Sequence, residues 1–162
     1  MERMLISGVA VDKDCARIAV IGLLDQPGVA FKLFNHLAHH NINVDVILQS
    51  IGRDGTKDIS FTVAKDSLDD ALAVLESHRE TSLKCDKIDV DRDIAKISVV
   101  GAGMISNPGV AAKMFEAMYD ANINIKMIST SEIRITVIID QADVDRAAVA
   151  VHDKFGLGTP NT

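Results

Sequence analysis

One short segment has the residue types needed to bind a free amino acid. Asp25 precedes Pro27-Gly28-Val29-Ala30, where an apolar pattern with helical spacing begins. The first amides of a helix have no partner within it and can bind a carboxylate, and a neighbouring aspartate can hold an ammonium group. An α-amino acid presents both groups. Spacing alone favours a plainer role, in which Asp25 caps the helix and Pro27 lies in its first turn.

A second motif suggests nucleotide chemistry. Val99-Val100-Gly101-Ala102-Gly103 is an apolar run that ends in Gly-x-Gly, as a dinucleotide-binding turn does. The third glycine of that motif is replaced by Ser106, and the helix is predicted to start only at Asn107-Pro108. A small nucleotide-dependent oxidoreductase using Gly101-Ala102-Gly103 is therefore retained as an alternative, and no cofactor is predicted.

Metal binding and nucleophilic catalysis have weak support. His36, His39 and His40 share a helical face, but histidines near a helix end are favoured by the helix dipole and by solvent. Cys15 and Cys85 are far apart and match no zinc or CxxC spacing, which is typical of reduced thiols in a cytoplasmic protein. No phosphate-binding Gly-x-x-x-x-Gly-Lys loop occurs. We predict neither catalytic residues nor a metal site.

An internal repeat organises the chain. Pro27-Gly28-Val29-Ala30 recurs as Pro108-Gly109-Val110-Ala111, and Asn41-Ile42-Asn43-Val44 recurs as Asn122-Ile123-Asn124-Ile125, both at an offset of 81. Without a gap, residues 27–50 and 108–131 share 11 identities in 24 positions. The chain therefore consists of two copies of one small unit.

Each copy predicts the same series of elements. In the first copy, a helix beginning near Val29 and a helix at Ser67–His78 are combined with four strands, predicted at Ile18–Gly22, Asn43–Ser50, Asp58–Ala64 and Leu83–Val90. Asn41 and Asn122 are predicted to end the first helix of each copy in the left-handed conformation. The order β-α-β-β-α-β is that of the ferredoxin-like fold.

The two copies differ in one loop and in their last strand. Gly52–Thr56 predicts a hairpin turn through its Asp-Gly pair, and the second copy shortens this loop by seven residues. The second copy has no strand-forming sequence after its last helix, whereas Met4–Val11 is a strand that the first copy does not need. We therefore predict an α+β fold of two ferredoxin-like βαββαβ domains, 15–92 and 93–162. The first is inserted into the second, which residues 1–14 complete.

Composition limits the possible partners. The 162 residues carry a formal charge of −6, contain no Trp, and are only 4% aromatic. Without basic tracts or stacking aromatics, nucleic acid and anionic membrane are not expected partners. The apolar runs are strand-sized and the N-terminus does not resemble a signal peptide, so a cytoplasmic location is expected.

At these motifs the sequence resembles ACT domains, and specifically the paired ACT domains in the regulatory half of aspartokinases. The resemblance extends from Ser7 to Leu157. The segments that carry it are Asp25-Gln26-Pro27-Gly28, Asn41–Asp45, Asp58–Thr62, Val100–Met104, Pro108–Val110 and Ile128–Ile135.

The resemblance implies a regulatory function. Aspartokinases phosphorylate L-aspartate with ATP, the first step toward lysine, threonine and methionine, and their ACT pairs bind threonine, lysine or both as feedback inhibitors. The kinase half has no counterpart here. The implied molecule is a non-catalytic regulatory subunit or fragment that forms a homodimer through its ACT domains and acts on an aspartokinase catalytic subunit or domain. A dimerisation module that binds no small ligand is a further alternative.

The resemblance also implies two sites. The effector site would use Asp25, Gly28, Val29, Ala30 and Gln49, closed by Asn122, Ile123, Asn124 and Ile125 of a partner chain. A possible second site would use Ser106, Gly109, Val110, Ala111 and Thr130 with Asn41, Asn43 and Val44. Because Ser106 replaces the Asp25 carboxylate, the second site is the weaker candidate. The polar side chains of the first favour threonine over lysine.

Overall fold

The computed structural model describes residues 5–102 and 109–156. Its strands and helices are, in chain order, β1 (Leu5–Asp12), β2 (Ala16–Leu24), α1 (Val29–His39), β3 (Ile47–Gln49), β4 (Thr56–Val63), α2 (Leu68–His78), β5 (Lys87–Asp91), β6 (Ile94–Ala102), α3 (Gly109–Asp120), β7 (Met127–Thr130), β8 (Arg134–Asp140) and α4 (Val144–Phe155). The helices have 11 or 12 residues. Within the described ranges, none is long and apolar enough to cross a membrane.

The chain divides into two compact units, which we call the continuous unit and the split unit. The continuous unit is Asp14–Arg92, and the split unit combines a segment that ends at Lys13 with one that begins at Asp93. Four antiparallel strands form the sheet of the continuous unit in the order β3-β4-β2-β5. The helices α1 and α2 pack on one face of this sheet around buried residues such as Leu33, Phe61 and Leu75.

The split unit repeats this plan with a strand from the chain's beginning. Its sheet has the order β1-β6-β8-β7, and β1 pairs antiparallel with β6, with Val9 opposite Val99. In the continuous unit β5 occupies the corresponding edge beside β2. Apolar residues of α3 and α4, including Met114 and Val151, complete the core. The predicted fold class, two ferredoxin-like domains with the first inserted into the second, is confirmed.

The asparagines that follow the first helix of each unit behave as predicted. Asn41 has φ 55° and Asn122 has φ 56°, both in the left-handed region. In each unit the next residue donates its amide back across the helix end, from Ile42 to Leu37 O at 3.1 Å and from Ile123 to Met118 O at 2.9 Å. This is the bonding of a Schellman cap, which satisfies the last carbonyl groups of a helix.

Three sequence expectations were wrong in detail. The strand expected at Asn43–Ser50 spans only Ile47–Gln49. The strand expected from Leu83 begins at Lys87, because Arg79–Leu83 extends α2 by a π-helical turn that buries Leu83. The loop difference between the units is five residues and not seven. Leu48 faces Ser60 at a separation of 12 positions, whereas Ser129 faces Thr136 at a separation of 7.

Candidate functional site

The N-terminus of α1 is formed by a left-handed glycine and not by a capping side chain. Gly28 is the N-cap residue with φ 92°, and no side chain caps the helix. Its carbonyl accepts the first helical bond from the Lys32 amide at 3.0 Å. The predicted capping role of Asp25 is therefore wrong, as is the placement of Pro27 in the first turn, because the glycine turn separates both residues from the helix.

Asp25 is held by the hairpin that connects β3 to β4. Its amide donates to Gly55 O at 2.9 Å, and its Oδ1 lies 3.4 Å from Lys57 Nζ. A Cβ atom built on Gly52 would come within 1.8 Å of Asp25 Oδ2, so the glycine backbone packs directly against the carboxylate. The side chain of Asp25 nevertheless remains 44% exposed, whereas that of Lys57 is only 11% exposed. The carboxylate is therefore both oriented and accessible.

The hairpin turn has the geometry that its sequence predicts. Asp54 and Gly55 have φ 56° and 77°. Arg53 and Thr56 exchange backbone hydrogen bonds of 2.8 and 3.1 Å on either side of them. Positive φ at both central residues is typical of a type I′ turn, for which Asp-Gly is a preferred pair. This turn brings Gly55 O to the Asp25 amide.

Strand direction brings Gln49 to the same end of the sheet. Because β2 and β3 each run antiparallel to β4, they are parallel to one another and their C-terminal ends lie at one end of the sheet. Asp25 follows β2, and Gln49 is the exposed last residue of β3. Gly28, Val29 and Ala30 begin the helix at this end. The five residues predicted from the continuous unit therefore occupy one end of its fold, with Val29 buried and the other side chains at least partly exposed.

The residues predicted to close the site lie in the split unit. Asn122 and Asn124 are exposed, Ile125 is partly buried, and Ile123 is buried beneath them. Asn41, Asn43 and Val44 repeat this pattern in the continuous unit, with both asparagines exposed. Each turn therefore exposes two asparagine side chains, and the isoleucine between them, Ile42 or Ile123, is buried.

The second predicted site lacks the features that surround Asp25. Gly109, Val110 and Ala111 begin α3, and Thr130 ends β7 as an exposed residue. Gly109 is the first helical residue and has no positive φ, unlike the left-handed Gly28 that precedes α1. Ser106 lies outside the described residues. The long hairpin that holds Asp25 is shorter by five residues in this unit.

Sequence reasoning missed Lys57 and Gly52. A signal for both was present, because the two residues lie in or beside the hairpin loop that only the first copy has at full length. Their contact with Asp25 could not be found from spacing, since 32 and 27 residues separate them from it along the chain.

Of the three histidines predicted to share a face of α1, His36 stacks on His78 of α2. The rings of His36 and His78 are parallel, with centroids 3.6 Å apart, and His36 Nε2 lies 2.8 Å from Ser82 Oγ. Burial lowers the pKa of His36, and the neighbouring charge of His78 lowers it further. Within the described part of the chain, no group of three or more His, Cys, Asp or Glu residues is arranged to hold a metal ion.

The glycines of the Gly-x-Gly motif do not form a phosphate-binding turn where they are described. Gly101 and Ala102 lie within β6, paired with Ile6 and Leu5 of β1, and the Gly101 amide donates to Ile133 O at 2.9 Å. Gly103 lies outside the described residues. Neighbouring strands in both sheets are antiparallel, unlike the parallel strands of a dinucleotide-binding fold.

Comparison with known proteins places this architecture in a family. The model of the ACT domain matches residues 18–78 and 97–155. The structure is similar to the ligand-free regulatory subunit of aspartate kinase from Thermus thermophilus. The two are 43% identical with a TM-score of 0.88, over 93% of this chain and 99% of that one. The chain belongs to the ACT domain family, as an aspartokinase regulatory region.

Two further relatives are longer proteins, each of which contains one region similar to this chain. The aspartokinase of Corynebacterium efficiens is 43% identical over 160 residues, which are 98% of this chain and 38% of that protein. The aspartate kinase from Synechocystis is 41% identical with a TM-score of 0.91, over 99% of this chain and 29% of that one. The ACT pair thus spans less than two fifths of the length of these two relatives.

Proposed function

We propose that this ACT pair senses a free amino acid and controls an aspartokinase catalytic subunit or domain. In this proposal residues 15–92 form the first ACT domain, and residues 93–162 with strand-forming residues from 1–14 form the second. The effector is threonine, with lysine as the second candidate or as a joint effector. The controlled reaction is the ATP-dependent phosphorylation of L-aspartate in the biosynthesis of lysine, threonine and methionine.

One observation carries the proposal. The Asp25 carboxylate is held in place, remains 44% exposed, and lies at the end of the sheet where α1 begins without a side-chain cap. The Val29 amide donates to Gln26 O at 3.4 Å, so an effector carboxylate would bind the Gly28 and Ala30 amides, while the fixed Asp25 carboxylate at the same end would bind its ammonium group. Gln49, at the same end, supplies a polar group for a small side chain such as that of threonine.

A second copy of the chain completes the site in this proposal. Asn122, Ile123, Asn124 and Ile125 of the partner would cover an effector bound at Asp25. Phe31 of α1 and Ile51 of the loop between β3 and β4 are 71% and 94% exposed, as apolar side chains that pack against a partner are. An effector that bridges two chains stabilises the dimer arrangement that it fits, and by linkage disfavours the active state of an attached kinase.

The second site is proposed as a weaker counterpart. Gly109, Val110, Ala111 and Thr130, together with Ser106, would face Asn41, Asn43 and Val44 of a partner chain. Without a carboxylate at the position of Asp25, this arrangement offers an ammonium group only neutral acceptors. We therefore expect one effector site per chain to dominate the response.

Titration tests the proposal directly. Isothermal calorimetry and thermal denaturation are carried out with threonine, lysine, methionine and NAD. We expect threonine to bind and raise the melting temperature, and Asp25→Asn to abolish both effects because it removes the charge that holds the ammonium group. Asp66→Asn removes an exposed carboxylate outside the site and serves as the control.

The alternatives give different results. The same exposed apolar residues, Phe31 and Ile51, suit a dimerisation module that binds no ligand, and such a module would respond to none of the four compounds. Binding of NAD alone would support the oxidoreductase alternative. Either result would contradict the amino-acid sensor.

A further inference from the structure

Lys57 is the charged neighbour of Asp25, and its surroundings are unusual for a lysine. Its side chain is only 11% exposed, although lysine is normally among the most exposed residues of a folded protein. Its ammonium group lies 3.4 Å from Asp25 Oδ1. A cation covered to this degree requires a nearby anion, and its field is less screened by water than that of a surface lysine.

The register of the sheet places Lys57 beside Asp25. Val20 of β2 faces Ile59 of β4, but Leu23 faces Lys57, so β2 contains one extra residue at this point. A β-bulge bends its strand locally, and beyond this one the Asp25 amide bonds to Gly55 O of the hairpin at 2.9 Å. The adjacent carboxylate of Asp58 is already used, because its Oδ1 accepts the Gly22 amide at 2.9 Å.

The split unit lacks both members of this ion pair. Repeat alignment places Ser106 at the position of Asp25. The position equivalent to Lys57 follows from strand register, because Ile18 faces Phe61 in the continuous unit and the equivalent Ile97 faces Val137 in the split unit. Lys57 lies four residues before Phe61, and Ile133 lies four residues before Val137, so these two residues are equivalent. Ile133 is 56% exposed. Because the acid and its counterion are absent together, Lys57 belongs to the chemistry of Asp25 and not to the common fold.

We propose that Lys57 sets the charge selectivity of the amino-acid site. This inference rests on the proposed function. Together, Asp25 and Lys57 carry no net charge, and an amino acid with a neutral side chain adds none. Lysine brings a second ammonium group into a site whose one carboxylate, Asp25, already faces both Lys57 and the α-ammonium group. The ion pair therefore disfavours lysine relative to threonine by electrostatic repulsion.

The test compares the affinities of two amino acids in matched variants. The ratio of the dissociation constants for L-lysine and L-threonine is measured by calorimetry for the wild type and for Lys57→Met, which keeps the unbranched side chain up to the ε position but removes the charged ammonium group. Removing one unit charge from a partly screened site is expected to lower this ratio about tenfold. Lys57→Arg, which retains the charge, should keep the wild-type ratio.

A matched control separates a local effect from a change in total charge. Lys87 lies on β5 of the same unit, has a 60% exposed side chain, and pairs with Asp89 at 3.5 Å. Lys87→Met removes the same charge from an exposed position. It should leave the ratio unchanged.

A measurement on the wild type does not depend on whether a variant folds. Raising the salt concentration screens the repulsion, so the ratio for lysine over threonine should fall between about 0.02 and 0.5 M salt. A ratio that does not change with salt, or a wild type that binds lysine at least as tightly as threonine, would overturn the role of Lys57. An unchanged ratio in Lys57→Met would do the same, and each of these results would leave the amino-acid sensor intact. If the wild type binds neither amino acid, the proposed function itself fails.

Discussion

The Asp25 carboxylate is oriented mainly by neighbouring backbone groups and therefore stays accessible to a ligand. The Gly55 carbonyl holds its amide, and the Gly52 backbone packs against one carboxylate oxygen while Lys57 lies near the other. The carboxylate consequently has little rotational freedom to lose when it binds a cation. Such preorganisation increases affinity by lowering the entropic cost of binding.

Gly52 provides a residue-scale prediction. In Gly52→Ala the new methyl group would occupy the place of Asp25 Oδ2, which an ideal Cβ would approach to 1.8 Å, so the carboxylate must rotate away. We expect effector affinity measured by calorimetry to fall about tenfold, with little change in melting temperature, since the loop is exposed.

Gly8→Ala is the matched control for that substitution. A Cβ at Gly8 meets nothing within 4 Å, so binding should be unaffected. Equal affinities of the wild type and Gly52→Ala would show that Asp25 does not depend on this close contact.

At the scale of elements, α1 and α2 meet through the stacked imidazoles of His36 and His78. Burial disfavours the charged form of His36, and the charge of His78, whose ring centroid lies 3.6 Å away, disfavours it further. The pKa of His36 therefore lies below its ordinary value of 6.5 in the folded chain. The joint between the two helices is expected to weaken when it is protonated.

This stack predicts how stability depends on pH. The unfolded chain binds a proton at His36 more readily than the folded chain does. The contribution of neutral His36 to the free energy of unfolding is therefore fully present above pH 6.5, and it is lost as the pH falls through and below that value. We expect a lower melting temperature at pH 5.5 than at pH 7.5. In His78→Phe, which preserves a flat ring without its charge, the difference should be smaller.

His152→Gln serves as the comparison for this pH effect, because His152 lies on α4 in the split unit. It should show the wild-type difference between the two pH values. If His78→Phe also shows the full difference, the stack does not contribute to the pH dependence.

At the scale of the whole molecule, the split unit depends on a strand distant in the chain. β1 pairs with β6 along Leu5–Asp12, and Val9 packs against the core of that unit. A fold completed by its first segment contains contacts of long sequence separation, which are slow to form. The first segment is therefore a structural part of the second ACT domain in our proposal.

Val9→Asp tests this dependence. Placing a carboxylate against an apolar core should lower the free energy of unfolding by about 2 kcal/mol or more, and hydrogen exchange should show the loss in β1 and β6. Ala10→Asp introduces the same group at an exposed neighbour and should cost far less. Similar costs for the two variants would indicate that β1 contributes little to the core.

The sequence by itself determined the repeat, the order of elements and the turns. These features depend on signals that act over a few residues. Asn41 and Asn122 tolerate left-handed angles, Asp54-Gly55 suits a type I′ turn, and apolar spacing separates helix from strand. The insertion of the first domain into the second was inferred by elimination. The first copy does not need the strand at Met4–Val11, and the second copy has no strand after its last helix.

Only the tertiary structure decided which groups surround Asp25. Its local sequence predicted a helix cap, whereas in the fold the left-handed Gly28 begins α1 without a side-chain cap and Asp25 lies against Lys57 and Gly52. A shift of one residue in strand register reverses the face on which each side chain lies. A contact between residues 27 or 32 positions apart therefore depends on pairing across the sheet, which no local pattern specifies.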